Sequence, residues 1–147
     1  MAQHEFVLID TEHPEIFNTN ELYLDLLKKR EKRDLYSIKK VVGMDMDLMF
    51  YLHDFLKWIP IRACSVRTNK IIDPNGTCVF DAKSYPVFEP IVSGLSAIFS
   101  VAPEHVVLYR EIKKKYSKEY LLNLFSELQE VVSALQKEHH YLVHLGI

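Results

Sequence analysis

Glycine is scarce in this chain. The four present, Gly43, Gly76, Gly94 and Gly146, are scattered along 147 residues. A loop that cradles phosphate needs several glycines in a short span, so that backbone N–H groups can approach the anion. The sequence therefore has neither a P-loop nor a dinucleotide-binding fingerprint. Cysteine is equally sparse, with Cys64 and Cys78 alone. Two residues cannot build the disulfide framework of a small secreted domain, and their separation is not that of a zinc-binding pair. Both fall in strand-like segments and are read as buried thiols. The sequence also has no nucleophile-elbow serine, no pair of helix-borne histidines around a glutamate, no internal repeat and no linker rich in Gly, Pro and Ser. No motif assigns a catalytic residue, a metal ligand or a cofactor, so an enzyme is not the leading expectation. No 18-residue apolar run occurs, and Met1-Ala2-Gln3-His4-Glu5 lacks the basic and apolar stretches of a signal peptide. The expectation is a cytoplasmic protein.

What is present is enough to make a core. Hydrophobic residues are 48% and charged residues 26%, with eight Phe, eight Tyr and one Trp. A domain near this size buries roughly 68–70% of the surface its unfolded chain exposes. Glu5-Phe6-Val7-Leu8-Ile9 reads as a strand, and Asn18 with Glu21 three residues on has the form of a helix cap ahead of Leu22, Tyr23, Leu26 and Leu27. Leu35 to Val42 fits helix and strand spacing equally well and stays open. Asp45 to Trp58 repeats apolar residues at three and four (Leu48, Met49, Leu52, Phe55, Leu56), with an aspartate to cap it and Pro60 to close it. Ile61 to Thr68 and Thr77 to Phe80 read as two strands joined through Asp73-Pro74-Asn75-Gly76, a turn sequence, giving a β-hairpin. Val87 to Phe99 predicts a helix apolar enough to be buried on more than one side. Val106 to Tyr109 predicts a strand. Ser117 caps a long helix with the stripe Leu121, Leu124, Phe125, Leu128 and Leu135, and His140 to Ile147 predicts a last strand. The expected class is α+β: one domain over residues 1–147, with a mixed or antiparallel sheet and about four helices packed against it.

Charge is segregated along the chain although the net value is only -2. Residues 1–27 hold six acids, Glu5, Asp10, Glu12, Glu15, Glu21 and Asp25, and no Lys or Arg. Residues 28–40 hold seven bases against Glu31 and Asp34, and residues 110–118 hold five bases against Glu111. An acidic surface can attract a basic partner over long range, and proteins that block nucleases use such a face because the nuclease cleft is basic. The leading expectation is thus a protein-binding module, in its specific form an immunity or inhibitor protein for a basic toxin or enzyme, using Asp10, Glu12, Glu15, Glu21 and Asp25.

Two other classes compete. If residues 28–40 and 110–118 fold onto one face, their bases, with Tyr36, Tyr109, Tyr116 and Tyr120, would suit a nucleic acid or another anionic ligand. Alternatively Asp45, Asp47, His53 and Asp54 supply oxygen and imidazole ligands for a metal-dependent hydrolase. The adjacent His53-Asp54 is similar to the central dyad of metal-dependent HD phosphohydrolases. That likeness is two residues long, in a chain without the all-helical frame or the spaced outer ligands, and no membership is assigned. His139, His140 and His144 form a further cluster, in which His140 and His144 share a face whether the segment is helix or strand.

Overall fold

The computed structural model describes residues 3–64, 72, 76–109 and 113–146, with the backbone alone at Cys64. The fold is built on β1 (Gln3–Asp10), in which Phe6, Val7, Leu8 and Ile9 are all buried. Four consecutive apolar residues, rather than alternating ones, mark a strand covered on both faces. β1 pairs antiparallel with β2 (Ser37–Asp45) on one side and β7 (His140–Leu145) on the other. β4 (Thr77–Phe80) and β3 (Ala63–Cys64) extend the sheet, giving the order β2-β1-β7-β4-β3 with every pairing antiparallel. A small α+β domain with an antiparallel sheet and four helices is what the composition and patterning predict.

Side-chain alternation divides the sheet between two apolar layers. Phe6, Leu8, Val42, Met44, Cys78, Phe80 and Leu142 face α2 (Met46–Leu56), α3 (Tyr85–Ser100) and α4 (Lys118–Ser133). Val7, Ile9, Val79, Val143 and Leu145 face the opposite way, toward a 3-10 turn at Pro14–Asn18 and α1 (Asn20–Leu27). α2 presents Leu48, Met49, Leu52 and Leu56 to the larger core, and Asp45 caps it by accepting from the Leu48 N–H at 3.0 Å. α3 and α4 meet through stacked Phe99 and Phe125, 5.4 Å between centroids. Ser117 caps α4, accepting from the Tyr120 N–H at 3.1 Å. A second, two-stranded sheet, β5 (His105–Tyr109) with β6 (Lys113–Ser117), closes the same core through Val106, Leu108 and Tyr116.

Several expectations need correction. Asn18 ends the 3-10 turn and is not the cap of α1; Thr19 holds that position, and its hydroxyl donates to the Ile16 carbonyl at 2.9 Å. Residues 37–42, ambiguous by pattern, are strand, since they complete the hydrogen bonding of one side of β1. α3 buries one stripe, Phe88, Val92, Leu95 and Phe99, while Ile98 is exposed. β6 was invisible as a strand because three of its five residues are lysines. Of the expected hairpin, the antiparallel pairs Ala63–Val79 and Cys64–Cys78 form as anticipated, whereas residues 65–70 and the turn at 73–75 lie outside the described residues. No helix among the described residues is long and apolar enough to cross a membrane.

α1 ends in a way that exposes a small strain. The Arg30 N–H donates to the Asp25 carbonyl at 2.7 Å and the Lys29 N–H to the Leu26 carbonyl at 2.9 Å, the paired bonds of a Schellman ending. That motif requires a left-handed residue, and Lys29 fills the place with φ 54°. A side chain with a Cβ is disfavoured there relative to glycine. Lys29→Gly is expected to raise unfolding free energy by about 0.5–1 kcal/mol, measured as a shift of the urea midpoint at unchanged slope.

Candidate functional site

The segregated charges of the sequence fold back onto one another. Glu21 and Asp25 stand one turn apart on α1, and the Lys32 ammonium bridges them, 3.0 Å from the Asp25 carboxylate and hydrogen-bonded to Glu21. Those two acids, Glu21 first, hold Lys32 protonated well above the ordinary lysine range. Asp10 lies 3.9 Å from Lys39 and Glu5 3.9 Å from Lys29. Asp25 is nearly buried. Of the five acids proposed from sequence to meet a partner, three therefore have lysine counterions from the basic run that follows them. Glu15 has His13 at 3.1 Å, and Glu12 has no ion-pair partner among the described residues. Both are exposed.

Among the described residues, the two basic stretches are anchored on opposite sides of the sheet. The first is anchored by Tyr36, which packs in the α1 layer and donates from its hydroxyl to the Arg30 carbonyl at 2.7 Å. The second is anchored by Tyr116, which packs in the core on the other side of the sheet. Lys40 turns toward that side too, but it is taken up by Glu130 of α4, 90 residues away in sequence. Residues 110–112 of the second stretch lie outside the described residues.

Asp45 and Asp47 do come together, around an ammonium group. Alternation along β6 turns Lys114 and Tyr116 inward and leaves Lys113 and Lys115 outside. Lys114 Nζ lies 2.8 Å from Asp47 Oδ2 and 3.1 Å from Asp45 Oδ1, and the Tyr116 hydroxyl donates to the same Asp45 oxygen at 3.0 Å. Tyr120 stacks on Tyr116 with 6.0 Å between centroids. Asp47 and then Asp45 raise the Lys114 pKa, while burial and the Asp45 charge raise those of Tyr116 and Tyr120. These contacts tie the β5–β6 hairpin to the start of α2.

The remaining candidate ligands point elsewhere. His53 Nε2 donates to the Ile72 carbonyl at 3.1 Å, and Asp54 pairs with Lys57 at 2.9 Å on the exposed side of α2. Asp45, Asp47, His53 and Asp54 thus do not converge, and no three His, Cys, Asp or Glu side chains among the described residues are arranged to hold a metal ion. His140 and His139 lie at the start of β7, the former bonded to the Glu138 carbonyl at 2.9 Å, whereas His144 is buried against His4.

Sequence reasoning missed the surface that these pairings leave open. The Pro14–Asn18 turn and residues 60–63 face one another across a groove of about 610 Å3, lined by Glu15, Phe17, Pro60, Arg62, Asp81 and Lys83 among others. Two residues before Pro60, Trp58 is 61% exposed, with Phe55 edge-on to it at 5.6 Å. The apolar spacing put Phe55 in the buried stripe of α2, whereas it is exposed, beside Trp58 just past the helix end. A shallower depression of about 240 Å3 lies between Asp10–His13 and Arg33–Ser37. Comparison with known protein families, curated proteins and solved structures gave no match.

Two outcomes follow from the ion clusters. Asp45→Ala is expected to lower unfolding free energy by about 1–2 kcal/mol through loss of the α2 cap and of the acceptor for Tyr116. The same change should lower the alkaline midpoint of tyrosine absorbance. Lys32→Met should destabilise more than Lys28→Met in urea unfolding, because Lys32, unlike Lys28, pairs with the nearly buried Asp25.

Proposed function

We propose that the protein is a cytoplasmic protein-binding module, acting as an immunity or inhibitor protein toward a basic toxin or enzyme. The observation that carries this reading is the exposed Trp58–Phe55 pair, two residues along the chain from Pro60 in the wall of a groove that also bears Glu15, with Glu12 three residues before Glu15. Tryptophan is enriched among residues that dominate binding energy, because it offers a large rigid apolar area with a polar edge. Exposing it in water forgoes burial that a partner surface would supply. Among the described residues, Glu12 and Glu15 are the members of the acidic set without a lysine counterion, and they supply the charge that favours a basic partner. Asp10, Glu21 and Asp25 already have lysines beside them.

In this reading Trp58 is the central contact and Glu12 and Glu15 set the approach. The product of the gene immediately upstream is the first partner to test. Co-purification should give a one-to-one complex that re-forms from separately purified chains. Trp58→Ala should weaken it at least about tenfold, chiefly by faster dissociation. Glu12→Lys with Glu15→Lys should slow association and flatten its dependence on salt. Absence of a complex would remove the immunity form; a complex indifferent to all three substitutions would remove this surface as the contact.

A further inference from the structure

The central strands carry a pair of histidines where apolar side chains would pack. His144 on β7 is the direct neighbour of Phe6 on β1, so His4, two residues along, reaches it diagonally. The rings lie nearly parallel, 8° apart with 5.2 Å between centroids, and His4 Nδ1 is 3.0 Å from His144 Nε2. Both residues are buried, and the outer nitrogens, His4 Nε2 and His144 Nδ1, have no hydrogen-bond partner among the described residues.

Counting hydrogens shows what this arrangement does. Two neutral imidazoles carry two N–H groups on four nitrogens. The ring-to-ring bond uses one N–H and one lone pair, so one outer nitrogen keeps an unpartnered N–H and the other an unpartnered lone pair. A third hydrogen adds a buried positive charge and makes both outer nitrogens unpartnered donors. A fourth puts hydrogens on both facing nitrogens and leaves the bond without an acceptor. Each step favours a conformation in which water reaches the rings.

The surroundings determine the balance. The Phe6 ring lies 5.1 Å from that of His144 and the Phe50 ring of α2 stands edge-on 6.3 Å from His4, both apolar walls. Cys78 on β4 is opposite His144 in the pairing. Asp45, at the end of β2, favours a charge on His4, but its carboxylate is already engaged by Lys114 and Tyr116. His53 of α2 and His4 both disfavour a charge on His144.

We propose that the His4–His144 pair is a proton-operated latch, which holds closed the end of the sheet where β1 begins and β7 ends and releases it as the pair takes up protons. Burial lowers the pKa of both rings, that of His144 to about 3, against an ordinary value of 6.5. With a lower pKa in the closed form, the open form binds more protons at every pH below about 6.5. Closure is therefore fully favoured above that pH and weakens progressively as pH falls toward the closed-state value. The window precedes that of ordinary carboxylates, whose reference values lie near 4.

Native-state hydrogen exchange of the whole protein at pH 7.5 and 5.0, corrected for intrinsic rates, tests the latch. In the wild type, the opening equilibrium of amides in residues 3–8 and 142–146 should rise at least about tenfold relative to that of amides in α4. In the His4→Phe, His144→Leu double variant that ratio should not change with pH. An equal rise in the double variant, or a wild-type rise spread uniformly over α4 and the two strands, overturns the proposal. Should the double variant not fold, the wild-type pattern decides alone, a preferential rise in the two strands supporting the latch and a uniform rise overturning it.

Discussion

The structure depends on the antiparallel pairing of β1 with β7, the central pair of a sheet covered on both sides. Each strand supplies residues to both apolar layers: Phe6 and Leu142 to one, Val7 and Val143 to the other. A one-residue slip of β1 against β7 would exchange the faces of the β1 residues, turning Phe6 and Leu8 toward the α1 layer and Val7 and Ile9 toward α2, α3 and α4. Because β1 lies near one end of the chain and β7 near the other, the frame closes only when distant segments meet. The helices then cover a platform whose two faces are already fixed.

Charge arrangement follows from that platform. The acidic first segment and the basic run after it are joined by the α1 ending at Lys28 to Arg30, and reversal of the chain there brings Lys32 back onto α1. Part of the segregated charge is paired internally, Lys29 with Glu5, Lys32 with Glu21 and Asp25, and Lys39 with Asp10. Ion pairs on an exposed surface contribute little to stability. Asp25 differs because it is nearly buried, so the loop that carries Lys32 is held by the cost of leaving that carboxylate unpaired. On the other side of the sheet, the Lys114 cluster performs an analogous task between β6 and α2. Both cation clusters fix loops or hairpins to helix ends.

The parts of this fold legible in the sequence were those where one local pattern decides the outcome. The run Phe6 to Ile9, the stripe of α2 with its Asp45 cap, the stripe of α4 with its Ser117 cap, and the Thr77 to Phe80 strand each carry such a pattern. β2 was ambiguous because Ile38, Val41 and Val42 suit either period, and only the open side of β1 decides between them. β6 was hidden because Lys113, Lys114 and Lys115 give no apolar alternation; its strand is fixed by pairing with β5 and by Tyr116. The acidic residues were legible as a cluster in sequence, but their counterions were not, since pairing such as Asp10 with Lys39 needs the register of β1 against β2. The Trp58 surface was obscured for a related reason. An aromatic residue at helical spacing reads as core until the packing shows that the buried stripe of α2 is complete without it.

The same reasoning explains why the histidine pair stands apart from the rest of the core. Two aliphatic side chains at positions 4 and 144 would meet the packing requirement with no unpartnered polar atom, and a buried donor or acceptor without a partner costs about 1–3 kcal/mol. Stability is therefore not what the imidazoles supply. An imidazole differs from leucine in taking up a proton near neutral pH when solvated, and burial opposes that uptake at the strand junction on which both apolar layers rest. A charge placed on a surface histidine such as His139 would be solvated and go no further. A charge placed between His4 and His144 is buried against the rings of Phe6 and Phe50, so its cost falls on the β1–β7 pairing itself. The response to protonation is in this way set by the position of the pair in the sheet.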